Sequence, residues 1–353
     1  MQVDFDRLNQ YHEAGKLRHS VDPGRNLHVW CYSVQTVYSR DWDDLTMMCR
    51  GLVTDSDGNV ISRPYRKFFN WGEPYAPGPE ITDKPFWAYD KEDGTLIVVG
   101  TDSNGDIVVS TKGSFSTWHS EAAREMLGDW KPMPGATGIF EFIHPGNRIV
   151  VDYGDFAGLV MLGAVDNKDG TDHYTPQDFA QTTDWVGRVA VPRTFNLRSM
   201  LQTVANPESG PNREGFVLVW PNNEGPSDRV KIKFAQYVHL HSVLSRLNNV
   251  AVWESLKLGT FDVLLDIAPD EMYEQVRTCA DELNRAFIRV KALATFEAAA
   301  AEHFPTRREA AEWVKANCEH QQFVFALMDG KNIDAKIWDA VKPTFDQAWS
   351  FLK

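Results

Sequence analysis

The feature that most restricts the fold of this sequence is a series of short apolar runs, rich in β-branched residues and separated by turn signals. Residues 51–61 (GLVTDSDGNVI) place an Asp-Gly pair between two such runs, and residues 95–113 (TLIVVGTDSNGDIVVSTKG) repeat the design around Asn-Gly. Both pairs favour tight turns that join antiparallel strands. The later runs with the length and composition of strands are GIFEFI, NRIVVDY, LVMLGAV, GFVLVW and RVKIKF. We therefore predict antiparallel sheet for this part of the chain.

Near residue 240 the strand signals give way to helical ones. Residues 271–304 combine helical periodicity with good helix formers and end before Pro305, and Thr306 is placed to cap the helix that follows. A chain of 353 residues is long enough for two domains. We predict an α+β fold in which a domain of antiparallel sheet, residues 1–242, precedes an all-helical domain, residues 243–353.

Composition narrows the classes of function. The chain carries 36 Lys+Arg against 49 Asp+Glu, a net charge of −13. This balance argues against a protein that coats nucleic acid without specificity, so a phosphate-binding site has to be built locally. The four cysteines lack the spacing of a zinc site or a disulfide framework. No apolar run approaches the roughly 20 residues that span a bilayer, and the first residues lack the apolar core of a signal peptide. We expect a cytoplasmic protein with no membrane partner.

Residues 91–94, Lys-Glu-Asp-Gly, follow an aromatic run and precede a predicted strand. A lysine amine at a strand end can attack phosphorus when it is deprotonated and desolvated. The motif alone is weak evidence for such chemistry, because Asp-Gly is also a common turn. The choice between a nucleophilic lysine and a simple turn therefore depends on the charged residues elsewhere in the chain.

Basic and acidic residues stand in strand-like settings on both sides of Lys91. They are Arg50, Lys67, Lys112, Glu141, Glu214, Lys231 and Lys233. Because side chains alternate along a strand, Lys231 and Lys233 share one face. Two neighbouring lysines repel each other unless an anion such as phosphate lies between them, so the set favours a nucleotide-binding pocket.

Six segments in this order carry a family resemblance: RGLV, RPYRKFFNWGE, KEDGTL, FEFIHPGNRIVVDY, EGFVLVW and VKIKFAQYVHLH. They resemble the motifs of covalent nucleotidyltransferases, which include polynucleotide ligases and mRNA capping enzymes. Within that superfamily they most resemble the RNA ligase 1 type of T-even bacteriophages, over residues 45–241. The resemblance implies that residues 1–242 form the nucleotidyltransferase (adenylation) domain and that residues 243–353 select the RNA substrate.

The resemblance also implies roles for individual residues. Lys91 would be the adenylated nucleophile, and Lys231 and Lys233 would contact the α-phosphate. Glu214 would hold the divalent metal through water, and Glu141 would contact the nucleoside sugar or a metal-bound water. The implied ATP site comprises Arg50, Lys67, Tyr89, Asp90, Lys91, Asp93, Gly94, Lys112, Glu141, Lys231 and Lys233, and the implied catalytic residues are Lys91, Glu214, Lys231 and Lys233.

The sequence allows two interpretations for three aromatic residues and for two histidines. Phe86, Trp87 and Tyr89 either line the adenine site or belong to the core, where aromatic residues are commoner. His239 and His241 alternate within a predicted strand, YVHLH, and we favour a strand-surface or RNA-contacting role for them over a metal pair.

The expected function is ATP-dependent RNA ligation with Mg²⁺, for which Mn²⁺ can substitute, and Glu141 and Glu214 supply the oxygen ligands that Mg²⁺ prefers. A lysyl-AMP and then an RNA-adenylate would join 5′-phosphate and 3′-hydroxyl RNA ends. The resemblance implies a monomer that repairs RNA, including tRNA, in the cytoplasm of a phage-infected bacterium.

Two alternative functions stay open. One is a GTP-dependent capping-type guanylyltransferase, and the helical C-terminal region argues against it. The other is a non-catalytic RNA-binding protein with a degenerate nucleotidyltransferase fold, and the acidic net charge argues against it.

Overall fold

The computed structural model describes residues 2–78, 81, 83–172, 174–206, 208–222, 224–244, 247–268 and 272–343, apart from the side chains of residues 242–244 and 267. Two compact units divide the chain between His241 and Ser242. The described part of the first unit contains the sheets, and that of the second is helical. None of the helices in these ranges is both long and apolar enough to cross a membrane.

The strands all lie in the first unit as far as it is described. In chain order they are β1 (Leu17–Asp22), β2 (Leu27–Tyr32), β3 (Arg50–Asp55), β4 (Val60–Ser62), β5 (Phe69–Asn70), β6 (Trp87–Lys91), β7 (Thr95–Thr101), β8 (Ile107–Ser110), β9 (Ala136–Ile143), β10 (Gly158–Asp166), β11 (Arg188–Val189), β12 (Gly215–Trp220) and β13 (Asp228–Lys233). The helices between them are α1 (Phe5–Glu13), α2 (Val34–Ser39), α3 (Asp44–Met48), α4 (Trp118–Leu127), α5 (Pro176–Thr182) and α6 (Leu197–Ala205), and α7 (Ala235–Leu244) follows the last strand.

These strands form three sheets, with the orders β1-β2-β3-β4, β11-β10-β9-β7-β8 and β5-β13-β12-β6. Neighbours are antiparallel except for the two-residue pairings of β10 with β11 and of β13 with β5. Both predicted hairpins are confirmed, as β3–β4 and β7–β8. In the first turn Gly58 has a φ of +80°, and a Cβ there would lie 2.1 Å from the Val3 carbonyl oxygen, so the turn requires glycine. The predicted α+β class with antiparallel sheets is confirmed.

The β5-β13-β12-β6 sheet separates an apolar face from a polar one. Ala88, Phe216, Leu218 and Ile232 of one face belong to a buried cluster. Strand alternation sends the intervening residues to the opposite face, and these include Lys91 at the end of β6. The sheet therefore presents its lysines together, because its apolar residues must face the core.

Two predicted strands are wrong. The segment NRIVVDY is irregular, because the backbone N–H groups of Val150 and Val151 donate to the Asp93 carboxylate and not to a neighbouring strand. The segment YVHLH lies in helix α7, so His239 and His241 do not alternate across a strand. Short apolar runs fit helix and strand equally well when periodicity is the only guide.

The second unit is built on one long helix. Its helices after α7 are α8 (Asn249–Leu258), α9 (Phe261–Ile267), α10 (Tyr273–Ala301), α11 (Arg307–Asn317), α12 (Gln321–Met328) and α13 (Asp334–Ala340). Alanines of α10 pack against Val314, Phe323 and Ile337 of the following helices. The cap predicted at Thr306 is confirmed, because its side chain accepts from the Glu309 N–H in a capping box. The helical character predicted for this region is confirmed, and the closing residues 344–353 lie outside the described ranges.

Candidate active site

Lys91 occupies the end of β6, where three strands are in register. Gly215 of β12 pairs with Lys91 on one side and with Lys233 of β13 on the other. Side chains that are opposite each other in a sheet project from the same face, so the two lysines flank a position with no side chain. A Cβ at Gly215 would lie 2.1 Å from the Ile232 carbonyl oxygen, which leaves room for no other residue.

One buried carboxylate binds both lysines. Glu214 is 3% exposed, and its Oε2 accepts a hydrogen bond from Lys91 Nζ at 2.8 Å. Its other oxygen, Oε1, lies 3.3 Å from Lys233 Nζ. A carboxylate removed from water is stabilised by such pairing, and the lysines are fixed at the same time. The contact explains how Glu214 and Lys233, far from Lys91 in sequence, belong to one site.

A second acidic residue reaches this site from the five-stranded sheet. Glu141 of β9 accepts a hydrogen bond from the Gly94 N–H at 3.0 Å. Burial raises the pKa of Glu141 to about 7, and the Glu214 charge adds to the rise, while Lys91 and Arg50 act in the opposite direction. A Cβ at Gly94 would lie 2.3 Å from the Phe142 carbonyl oxygen, so this close approach depends on glycine.

Asp93 anchors the loop after Lys91. Its Oδ2 accepts from the N–H groups of Val150 and Val151 at 2.9 and 2.8 Å, and its Oδ1 accepts from the Tyr237 hydroxyl at 2.7 Å. The Asp93 N–H in turn donates to the Tyr153 hydroxyl at 2.8 Å. Asp93 is 4% exposed, so its carboxylate is committed to holding β6 against a distant loop and helix α7.

Two of the predicted phosphate-binding cations lie over the ring of Tyr32, and the charge of a third acts on its hydroxyl. The amine of Lys112 lies 4.5 Å from the centre of the Tyr32 ring, and that of Lys67 lies 5.7 Å from it. Burial alone would raise the pKa of Tyr32, but the charges of Lys112, Lys67 and Arg50 outweigh burial and lower it. The rings of Trp42 and Phe69 also face the Lys67 amine, at 5.5 and 5.1 Å. We call Arg50, Lys67 and Lys112 the cation cluster.

The chain belongs to the RNA ligase family. The family model for RNA ligase matches residues 48–237, more than half of the chain. That range contains the ends of β6 and β13, the loop after Lys91 and the cation cluster. The family membership accounts for the order in which these charged residues occur along the sequence.

Individual relatives are distant. A putative RNA ligase of Thermovibrio ammonificans is 28% identical over 213 residues, which cover 57% of this chain and 54% of the relative. An RNA ligase of Rhodothermus phage RM378 is 28% identical over 182 residues, 38% of this chain and 41% of that protein. The chain thus spans about half the length of these curated relatives, or less. The solved structure of an archaeal ATP-dependent RNA ligase, 14% identical, has a TM-score of 0.50 over 83% of this chain and 80% of that one, which shows a shared fold.

The remaining predicted residues of this RNA ligase family member lie in two places. Tyr89 and Lys231 form a row with Val217 across the polar face of the β5-β13-β12-β6 sheet, next to the row of Lys91 and Lys233. Burial raises the pKa of Tyr89 to about 12, so its hydroxyl stays protonated at neutral pH. Asp90 instead lies on the opposite face, where its carboxylate binds Arg193 at 2.5 Å and also binds Arg213. The structure therefore does not bring Asp90 to the pocket that the other residues form.

Sequence reasoning missed two contributors to the site. Tyr32 ends an apolar strand, and nothing in that run separates it from a core aromatic residue. Tyr237 binds Asp93 from helix α7, and the mistaken assignment of its segment to a strand concealed that contact. Only the tertiary arrangement identifies either residue.

A divalent metal fits this site as a companion of a nucleotide. Across the ranges that the structure describes, there is no group of three or more Asp, Glu, His or Cys residues that could hold an ion alone. Glu141 and Glu214 are close enough for the charge of one to raise the pKa of the other, and a cation near both would relieve that repulsion. Mg²⁺ commonly binds through one or two carboxylates, with water and phosphate oxygens completing its octahedron.

Proposed function

We propose that this member of the RNA ligase family is an ATP-dependent RNA ligase that carries AMP on Lys91. The observation that carries the proposal is that Lys91 binds Glu214 and that the charges of Lys91 and of Arg50, a member of the cation cluster, both act on Glu141. A nucleotide needs cations along its phosphates and a separate amine at its α-phosphorus. Phosphoryl transfer then depends mainly on positioning and electrostatics, which this arrangement supplies.

In the first step the Lys91 nitrogen attacks the α-phosphorus of ATP, a P–N bond forms and pyrophosphate leaves. The amine loses a proton, which can pass along the hydrogen bond to Glu214. Lys231 and Lys233, on the same sheet face as Lys91, stabilise the charge on the α-phosphate. The cation cluster of Arg50, Lys67 and Lys112 offsets the charge on the departing pyrophosphate.

Two further transfers complete the proposed reaction. The oxygen of an RNA 5′-phosphate attacks the lysyl-AMP, takes over the AMP and releases Lys91. A 3′-hydroxyl then attacks that activated 5′-phosphate, forms a phosphodiester and expels AMP. A Mg²⁺ ion held by Glu214 and Glu141, or Mn²⁺ in its place, supplies Lewis-acid stabilisation of the phosphates when it is bound.

The finer assignments rest on the motifs. We propose the RNA ligase 1 type of T-even bacteriophages, acting as a monomer in the cytoplasm of an infected cell on broken RNA such as tRNA. We also propose that residues 243–353 select the substrate, because the motifs of the adenylation reaction all lie before residue 242. Selection by a separate helical unit would let the same chemistry serve different RNA ends.

Nucleotide labelling tests the proposal. The protein is incubated with Mg²⁺ and α-labelled ATP or GTP, and the label bound covalently to the protein, stable to alkali and labile to acid as a P–N bond is, is measured before a 5′-phosphate RNA is added. We expect labelling by ATP, sealing on addition of RNA, and loss of both in Lys91→Ala. Lys131→Ala, which removes an exposed lysine that bonds the Gly105 carbonyl, is the matched control and should behave as wild type. Labelling by GTP alone, or none, would contradict the proposal.

A further inference from the structure

An exposed aromatic surface lies where β9 ends and α4 begins. Trp118 is 45% exposed, more than any other tryptophan in the described ranges. Its ring centre lies 4.2 Å from that of His119 and 5.5 Å from that of His144. The buried ring of Phe142 supports Trp118 from below, edge-on at 5.3 Å. We call Trp118, His119 and His144 the aromatic platform.

The platform is connected to the Lys91 loop by specific contacts. His119 Nε2 hydrogen-bonds Asn147 Oδ1 at 2.9 Å, and Asn147 Nδ2 donates to Thr95 Oγ1 at 3.0 Å. Thr95 follows Gly94, whose N–H donates to Glu141. Two side-chain hydrogen bonds therefore separate the platform from the residues that surround the reacting amine.

A second connection runs along the chain. The loop between β8 and α4 carries Lys112 of the cation cluster and ends at Trp118, the first residue of α4. The Thr117 side chain caps this helix and fixes the direction in which Trp118 leaves the loop. The platform is thus connected to the Lys91 loop by hydrogen bonds and to Lys112 by a short stretch of chain.

The chemistry of the platform suits a nucleobase. A base stacks on an aromatic face. His119 uses Nε2 to bind Asn147, and His144 uses Nδ1 to accept from the Gly146 N–H, so the other nitrogen of each ring is the one that can hydrogen-bond a base. The neighbouring Arg148 forms an exposed ion pair with Asp152 at 2.9 Å, so this surface offers rings rather than an excess of charge. The proposed adenylation of Lys91 by ATP assigns no role to these rings.

We propose that the aromatic platform stacks a base of the RNA close to its reacting end, and so positions that end at Lys91. This inference rests on the proposed RNA ligase function, because the occupant is the polymer that the reaction requires. The nucleotide is placed within the first three on one side of the junction, since the platform is joined to the pocket by a short chain of contacts. Adenine of ATP and a partner protein are the occupants that the experiment has to exclude.

Substitution of the tryptophan separates RNA binding from nucleotide chemistry. Trp118→Ala should raise the KM for a 5′-phosphate RNA about tenfold, in line with a base–aromatic stacking contact. Lysyl-AMP formation with ATP alone should stay within about twofold of wild type, which also verifies that the variant is folded. Trp118→Phe keeps a ring and should retain most of the RNA affinity.

A matched control is available at the other end of the same strand. Tyr174 is also exposed, and it lines a cleft of about 770 Å³ together with Ala136, where β9 begins. The eight residues of β9 put that cleft roughly 23 Å from the platform. Tyr174→Ala should leave both the KM for RNA and lysyl-AMP formation unchanged.

A double-mutant cycle identifies the stacked base. RNA substrates carrying one abasic nucleotide at each of the three positions on either side of the junction are sealed by wild type and by Trp118→Ala. At one position the abasic change should raise the KM for wild type about tenfold and hardly affect Trp118→Ala, because the contact is already lost. Additive effects at every position would overturn the proposal.

The outcomes separate this inference from the proposed function. Equal loss of lysyl-AMP formation and sealing in Trp118→Ala would assign the platform to ATP or to folding and overturn the inference alone. An unchanged KM for RNA in Trp118→Ala would overturn it as well, and would leave a partner protein as the occupant. Failure of the wild-type protein to form lysyl-AMP would instead contradict the proposed function.

Discussion

Two groups of lysines in the first unit differ in the contacts described for them. Lys91 and Lys233 are bound by the carboxylate of Glu214, a buried formal charge that offsets theirs. Lys67 and Lys112 both lie over the face of Tyr32, and Lys67 also lies over those of Trp42 and Phe69. A ring attracts a cation without cancelling its charge.

The type of contact, carboxylate or ring, matches the role that we propose for each group of lysines. A nucleophilic lysine has to give up its proton, and a carboxylate in contact with it provides a place for that proton. A cation that receives pyrophosphate has to keep its positive charge, and a ring fixes its position while leaving the charge in place. Breaking each kind of contact separately tests whether this division is real.

The largest effect is expected at the carboxylate. Glu214→Gln leaves two partly buried lysines without their shared counter-charge, and lysyl-AMP formation should fall more than about a hundredfold. Removing one partner of a buried ion pair costs about 3 kcal/mol, and the 23% exposure of Lys91 keeps the loss near that lower limit. Urea unfolding and the labelling assay measure the two effects, with the exposed Glu125→Gln as control. If the Glu214→Gln variant forms as much lysyl-AMP as the wild type, the role given to Glu214 is refuted.

The next effect is expected at the ring. Tyr32→Leu removes the aromatic face that Lys67 and Lys112 share, and the KM for ATP should rise about tenfold, since each cation–π contact contributes about 0.5–1 kcal/mol. Tyr32→Phe retains the face and should stay close to wild type. If Phe and Leu raise the KM equally, the hydroxyl and not the ring fixes the cations.

A smaller effect is expected from pH. The pKa of Glu141 is about 7 in the folded protein and about 4.5 ordinarily, so folding favours its protonated form. The stability gained in this way is fully present below about pH 4.5 and is lost as the pH rises through about 7. Between pH 4.5 and 8 the free energy of unfolding should fall about 1 kcal/mol further in wild type than in Glu141→Gln, a value reduced for partial exposure. Parallel pH curves for the two proteins would show that folding does not raise the pKa of Glu141.

The smallest effect is expected on the far face of β6. Asp90→Asn weakens ion pairs with Arg193 and Arg213 that are largely exposed, and such pairs contribute about 0.5 kcal/mol. Lysyl-AMP formation should stay within about twofold of wild type. A loss comparable to that of Glu214→Gln would return Asp90 to the ATP site where the motif placed it.

Much of the site was visible in the sequence. Two-residue turn signals and strand alternation are local, and they correctly predicted both hairpins and placed Lys231 and Lys233 on one face. The helical second unit followed from periodicity and from the cap at Thr306. Motif order alone placed Glu141 and Glu214 with Lys91.

The remaining features depend on contacts between distant segments. Nothing local predicts that the backbone of Val150 and Val151 binds Asp93 and not a strand, or that YVHLH continues as helix α7. Asp90 follows the same alternation as its neighbours, yet its face could be assigned only once the apolar side of the sheet was known. The roles proposed for Tyr32 and Trp118 depend on the residues around them in the fold, and the local sequence does not predict those neighbours.

The proposed mechanism depends most directly on where AMP becomes attached. After incubation with ATP and Mg²⁺ in the absence of RNA, the protein is digested and the adduct is located by tandem mass spectrometry. AMP is expected on Lys91 of the wild type and not on the Lys91→Arg variant, and it should leave the wild type when a 5′-phosphate RNA is added. An adduct on another lysine, or one that persists in Lys91→Arg, would contradict the proposed mechanism.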